Sequence, residues 1–274
     1  MAVAVSILVL ALFGSASAFL PSQPVRSRRA PSPLRMGWGD DIVWGETTVV
    51  SNKPACGGGI RSIVVEASGD ETFSPYTVPG QYLQMKENLD PETKAGFYAV
   101  ASPPSASSSK SHEFLIKKTD ANAWLCDAGP GLVVPTSPCM GKGFNMAEID
   151  DSIDTVVLAA VGTGIAPIRS AIESGLLLGK EVKLYYGARR AATIAYERLF
   201  EAWKTDFGVQ VQPIYSQGTL KQRQGYVQDA IRADGLSSPS TTAALMCGMK
   251  PMTEAVTAAL TDAGVDPKKI ITNF

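Results

Sequence analysis

Two glycines one residue apart, Gly162 and Gly164, follow the apolar run Thr155–Val161 and precede Ile165-Ala166-Pro167. Residues of these types in this order suit phosphate binding. Glycine lets the chain turn tightly and brings backbone N–H groups close to an anion. A helix opening at that point adds unpaired N–H groups and the positive end of its dipole. Pro167 fits the first turn of such a helix, where no N–H donor is needed. Gly162, Thr163, Gly164, Ala166 and Pro167 are therefore expected to hold the phosphates of a dinucleotide, with Arg169 and Ser170 in the same turn. A GxG pair alone is common. This one gains weight from standing between an apolar strand and a helix, at the head of an alternating series.

The other reactive side chains are few. Cys56, Cys126, Cys139 and Cys247 form no CxxC pair and match neither a zinc site nor a disulfide framework. The one histidine, His112, lies in a Ser-rich stretch and reads as a solvated loop residue. A lone histidine leaves no room for a multi-His metal site, and no metal is expected. The formal net charge of −1 supplies no field for nucleic acid.

The elements that must position these residues change character near the acid-rich stretch 148–154. Before it, short apolar runs alternate with Gly, Pro and Ser. Strands are expected at 42–50, 60–66, 81–86, 96–102, 113–118 and 131–135, with 103–112 a polar loop, which predicts a small antiparallel barrel. After it, strands at 155–161, 182–186, 209–214, 243–247 and 270–272 alternate with helices at 167–178, 194–204, 226–234 and 251–263. Strands apolar on both faces belong to a buried parallel sheet. The expected architecture is thus a doubly wound, Rossmann-like domain of five parallel strands behind a six-stranded barrel.

Several segments together resemble the ferredoxin–NADP reductase (FNR) family. Gly162-Thr-Gly-Ile-Ala-Pro-Ile-Arg-Ser170 is similar to its nicotinamide-side turn, in the form GxGxxP. Tyr186-Gly-Ala-Arg189, Gly225-Tyr226-Val-Gln228-Asp229 and Met246-Cys247-Gly248-Met249-Lys-Pro-Met252 follow in the family's order. The ending Thr272-Asn273-Phe274 looks closest to the plant "fruit protein" branch. The resemblance spans residues 42 to 274. It implies a Greek-key barrel for FAD over about 40–149 and an NAD(P) domain over 150–274. It also implies that Cys247 lies where hydride passes, that Phe274 stacks on the flavin, and that Gly248 and Met249 flank the nicotinamide. Ser216, Tyr226 and Gln228 would face the adenosine side, and Arg189 would also bind the cofactor. Gln217 and Gln224 stand where NADP-using members carry basic residues, and Lys221 and Arg223 are candidate substitutes.

The flavin half departs from the family. Its Arg-x-Tyr-Ser motif aligns with Gly96-Phe97-Tyr98-Ala99, followed by Val100, Ala101 and Ser102. Gly96 replaces the Arg that neutralises the FAD pyrophosphate, which costs on the order of 1.5–3 kcal/mol unless Lys117 or Lys118 supplies the charge. Asn122 aligns with a phosphate-side donor. Trp124 is either a flavin contact or barrel-core packing. Thr272 replaces a Glu used for proton relay. The resemblance implies hydride transfer from NAD(P)H to FAD and onward to an acceptor: a small electron-carrier protein, a haem protein or a quinone. The altered positions keep open a second reading, a nucleotide-binding module without turnover. A haem-partnered reductase of the cytochrome b5 type ranks third.

Residues 1–35 carry Arg26, Arg28, Arg29 and Arg35 and no acid. A short apolar run ending at Phe13, small residues at 15–18 and Phe19-Leu20-Pro21 resemble a bipartite plastid presequence. A plain secretory signal with a spacer is the alternative. No other segment is apolar enough to span a membrane.

Overall fold

The computed structural model describes residues 42–68, 75–104 and 110–273. The presequence, Phe274 and part of the 103–112 segment lie outside the described residues.

The N-terminal half is one antiparallel sheet of β1 (Gly45–Pro54), β2 (Ile60–Ala67), β3 (Tyr82–Met85), β4 (Gly96–Ala99), β5 (Ser111–Lys117) and β6 (Val133–Thr136). The order β4-β3-β6-β1-β2-β5 is a Greek key. Val100 bridges Phe114 and the Ala101 N–H donates to the Glu113 carbonyl at 2.7 Å, so the two edges meet and the barrel closes. Val49, Ile63, Leu83, Val100, Phe114, Leu125 and Val134 fill it, all with zero exposure. Between β5 and β6, Asn52 donates to the carbonyls of Leu125, Cys126 and Ala128. This pins the short helix α1 (Ala123–Cys126) to β1.

The C-terminal half is a five-stranded parallel sheet, ordered β11-β10-β7-β8-β9. Its strands are β7 (Thr155–Val161), β8 (Glu181–Ala188), β9 (Val209–Tyr215), β10 (Thr242–Cys247) and β11 (Ile270–Thr272). Helices α2 (Ile165–Glu173) and α3 (Phe200–Phe207) cover one face, and α4 (Val227–Asp234) and α5 (Lys250–Asp262) the other. The sheet is therefore doubly wound. The order reverses between β7 and β10, and the crevice at their carboxyl ends is where such sheets bind ligands. Ile60, Ala101, Leu115 and Phe144 of the barrel half pack into the α2-side core, so the two halves share apolar contact.

Two expectations need correction. The helix expected at 194–204 is broken: Tyr196 takes φ +60, a 3-10 turn follows at Glu197–Leu199, and the α-helix begins only at Phe200. Burial of Tyr196 and Trp203 against the same core sets that geometry. His112 is not a solvated loop residue. It lies in β5 opposite Val65, edge-on to the Tyr76 ring at 5.7 Å, and burial pushes its pKa below 6.5. On unfolding, the imidazole regains its ordinary value and takes up a proton. Its contribution to stability is therefore whole above pH 6.5 and lost as pH falls through the lower folded value. Thermal unfolding followed against pH is expected to show a steeper fall below pH 6.5 in the wild type than in His112→Gln.

Candidate functional site

Val161 ends the central strand, and the chain turns through Gly162 at φ +57 into a 3-10 turn, Gly162–Gly164, that runs into α2. The two glycines do different work. A Cβ on Gly162 would meet nothing within 4 Å, so this position needs glycine for its backbone angle and leaves open space outside. Gly164 has ordinary helical angles but lies against the Cys247 carbonyl, where a Cβ would collide with main chain. The first N–H groups of the turn have no carbonyl one turn behind them. Tyr186 braces the turn from below, donating to the Gly162 carbonyl at 3.1 Å while accepting the Ala195 N–H at 3.2 Å. Ala166 and Pro167 are buried, so their contribution is to hold the turn. The arrangement fits a pyrophosphate resting on bare backbone beside Gly162 and Thr163.

Cys247 closes β10 directly beside this turn, in register with Ala160 of β7. Burial pushes its thiol up to about 12, so it is a neutral S–H at physiological pH. Gly248 follows, with the Met252 side chain in the space a Cβ there would take, and Met249 is exposed. β11 lies on the other side of β10, with Thr272 paired to Met246. Asn273 then reaches the barrel half: its Nδ2 donates to the Gly80 carbonyl at 3.3 Å, while its buried Oδ1 has no partner among the described residues.

On the rim, Arg189 and Ser216 are exposed at adjacent strand ends, and the Ser216 N–H donates to the Ala188 carbonyl at 3.0 Å. Tyr226 is also exposed, and Gln228 is half-buried. Arg223 is not available as a phosphate ligand. It pairs with Asp234 at 2.7 Å, donates to the Ala230 carbonyl and touches Gln212. Lys221 is exposed and makes no ion pair among the described residues.

On the barrel side, Tyr98 folds its ring and hydroxyl over Gly96, into the space a side chain there would take. Burial raises the Tyr98 pKa to about 12. Val100 and Ala101 are fully buried, and their N–H groups donate to the carbonyls of Gln81 at 3.1 Å and Glu113 at 2.7 Å, so both close the barrel. Ser102 Oγ accepts the Glu113 N–H at 3.2 Å. Asn122 is engaged in its own turn, donating to the Lys117 carbonyl and accepting the Thr119 N–H. Lys118 is paired with Asp127 at 2.6 Å, leaving Lys117 as the exposed cation of the pair. Trp124 packs partly against the barrel core. The residues present offer a flavin the rings of Tyr98 and Trp124 and the exposed Lys117, without a guanidinium fork on its phosphates.

Sequence reasoning missed the polar contacts between the halves. Arg169 of α2 reaches Glu113 of β5 at 2.7 Å and Glu173 at 3.0 Å, with its guanidinium 4.6 Å from the Tyr196 ring centroid. Ser170, the next residue, is hydrogen-bonded to Tyr76. Arg169 was visible as part of the turn, but nothing in the spacing pointed to Glu113, Tyr76 or Tyr196 as its neighbours.

Comparison with known proteins agrees with this architecture. Residues 158–258 match the oxidoreductase NAD-binding domain. The chain is 30% identical over 246 residues to fruit protein pKIWI502 of Actinidia deliciosa, covering 85% of this chain and 77% of that one. Among solved structures it superposes on the Amycolatopsis cytochrome P450 reductase GcoB with a TM-score of 0.69 at 20% identity, covering 85% of this chain and 70% of the other. It superposes on a ferredoxin NADP+ reductase of Neisseria gonorrhoeae, solved with FAD and NADP, with a TM-score of 0.70 at 15% identity, covering 84% and 97%. The Greek-key barrel, the parallel sheet with its GxGxxP turn and this kinship together show that the chain belongs to the FNR-like family of oxidoreductases that includes fruit protein pKIWI502.

Proposed function

We propose that this protein is a plastid NAD(P)H-dependent flavin oxidoreductase. The observation that carries the reading is the meeting of the Gly162–Gly164 turn with Cys247 at the switch point of the parallel sheet, facing the barrel half. Gly162, Thr163 and the start of α2 bind the pyrophosphate of the nicotinamide nucleotide. Cys247 and Gly248 form the floor on which the nicotinamide rests, and the neutral Cys247 thiol offers a polarisable surface without adding charge beside the transferring hydride. The wall built by Tyr98–Ser102, with Trp124 and Lys117, holds FAD on the opposite side, and the family resemblance assigns Phe274 to its ring. FAD, when bound, supplies the acceptor for the hydride given up by the dihydronicotinamide and returns its two electrons to a further acceptor, such as a small electron-carrier protein. The chain itself positions and excludes water, which is most of what hydride transfer asks of a protein. The plastid assignment rests on the leader alone.

The rim favours NADPH only weakly. A 2′-phosphate normally draws a guanidinium or ammonium fork. Here Gln217 and Gln224 are neutral and Arg223 is committed to Asp234, which leaves Lys221 as the exposed cation of the Ser216–Tyr226 loop, with Arg189 on the neighbouring strand end. Lys221→Ala is expected to raise the Michaelis constant for NADPH by about threefold to tenfold, as one exposed charge contact allows, and to leave that for NADH unchanged. A loss on both nucleotides would place Lys221 elsewhere.

The fold of Tyr98 over Gly96 favours one competing reading, a nucleotide-binding module without turnover. Titrating the purified mature chain with FAD separates the two. Binding that raises the visible flavin bands on the protein supports the reductase. A colourless protein that retains no added FAD and still binds NADPH supports the module.

A further inference from the structure

We infer that Glu113 is a positioning residue that fixes the distance between the nicotinamide half and the flavin half, a reading that rests on the function proposed above. Its main chain and its side chain serve opposite walls of the cleft. The main chain belongs to the barrel: its carbonyl accepts the Ala101 N–H at 2.7 Å and its N–H donates to Ser102 Oγ at 3.2 Å. Those two residues end the β4 segment assigned to the flavin. The carboxylate reaches the other half: Oε2 accepts from Arg169 of α2 at 2.7 Å, and Oε1 accepts from the Tyr196 hydroxyl at 3.3 Å as well as from Ser62 of β2, in its own half, at 2.8 Å.

Arg169 sits one turn beyond the phosphate-binding start of α2, and its other edge is held by Glu173, which also accepts the Trp203 indole N–H at 3.0 Å. The paired side chains of Arg169 and Glu113 are 14% and 18% exposed, so solvent screens them little. Tyr196, the one non-glycine with positive φ among the described residues, is held in that geometry with its ring under the Arg169 guanidinium. A single carboxylate thus ties the start of the nucleotide helix to the strand end of the flavin segment. Displacement of about 1 Å between reacting atoms can slow a transfer by about 100-fold, so this tie bears on rate more than on affinity.

The test uses the full mature chain loaded with FAD. Glu113→Gln keeps the volume and both main-chain bonds but removes the charge that Arg169 grips. The expected result is flavin reduction slowed by about 10- to 100-fold at saturating NADPH, with the separate dissociation constants for FAD and NADPH unchanged. Arg169→Lys, which keeps the charge but loses the fork, is expected to fall between the variant and the wild type. Amide hydrogen exchange supplies a readout independent of turnover: in Glu113→Gln it should rise together at residues 101–102 and in the first turn of α2. A variant that reduces flavin at the wild-type rate with wild-type exchange overturns the tie. Equal weakening of binding and rate, with exchange raised across the whole chain, also overturns it, since that is the mark of a merely structural role. A wild-type chain that reduces no flavin contradicts the reductase reading, while exchange in the variant still decides the tie.

Discussion

Gly164→Ala is expected to weaken NADPH binding by about 10- to 100-fold and to destabilise the fold by about 2–3 kcal/mol. The added methyl meets the carbonyl of Cys247, which is main chain and cannot rotate away. Either α2 shifts or the ends of β7 and β10 separate, and both moves spoil the phosphate turn and the nicotinamide floor together. Gly162→Ala is the informative partner. Its methyl points into open space, so the cost is confined to the left-handed backbone, about 1–2 kcal/mol. Nucleotide titration and thermal unfolding of both variants check the contrast. Equal losses would mean that the tight packing at Gly164 does not shape the site.

Gly96→Arg is expected to act in the opposite direction, tightening FAD by about 10- to 100-fold, the value of one charge-assisted phosphate contact. Gly96 is not in the left-handed region, so its backbone admits a side chain, and the obstacle is the Tyr98 ring, which can rotate. Gly96→Ala displaces the same ring without adding charge and should bring no gain. Matching FAD affinities for the Arg and Ala variants would show that the pyrophosphate does not pass this position.

Much of this was legible in the sequence, for physical reasons that can be named. β7 reads as Thr155–Val161 because a strand buried on both faces is apolar throughout, and the glycines and Pro167 mark where it must turn. Cys247 could be placed at a strand end because Gly248 and Pro251 follow it. What stayed hidden depends on tertiary contact. Tyr196 breaks the helix expected around it because burial against Arg169 and Trp203 outweighs local propensity. His112 read as a loop residue because its flanking serines suggested one, and only the pairing of β5 with β2 buries it. Arg223 read as a candidate substitute for the missing basic residues, but Asp234, on the far end of α4, holds it. Glu113 and Arg169 lie 56 positions apart in two different halves, and no local pattern links them.

The proposed reaction is tested most directly by anaerobic mixing of the FAD-loaded mature chain with NADPH, following the visible flavin absorbance. Loss of that absorbance in a single phase, slowed when the transferred hydrogen of NADPH is deuterium, is the expected result. A protein that binds both FAD and NADPH yet keeps its flavin oxidised would contradict it.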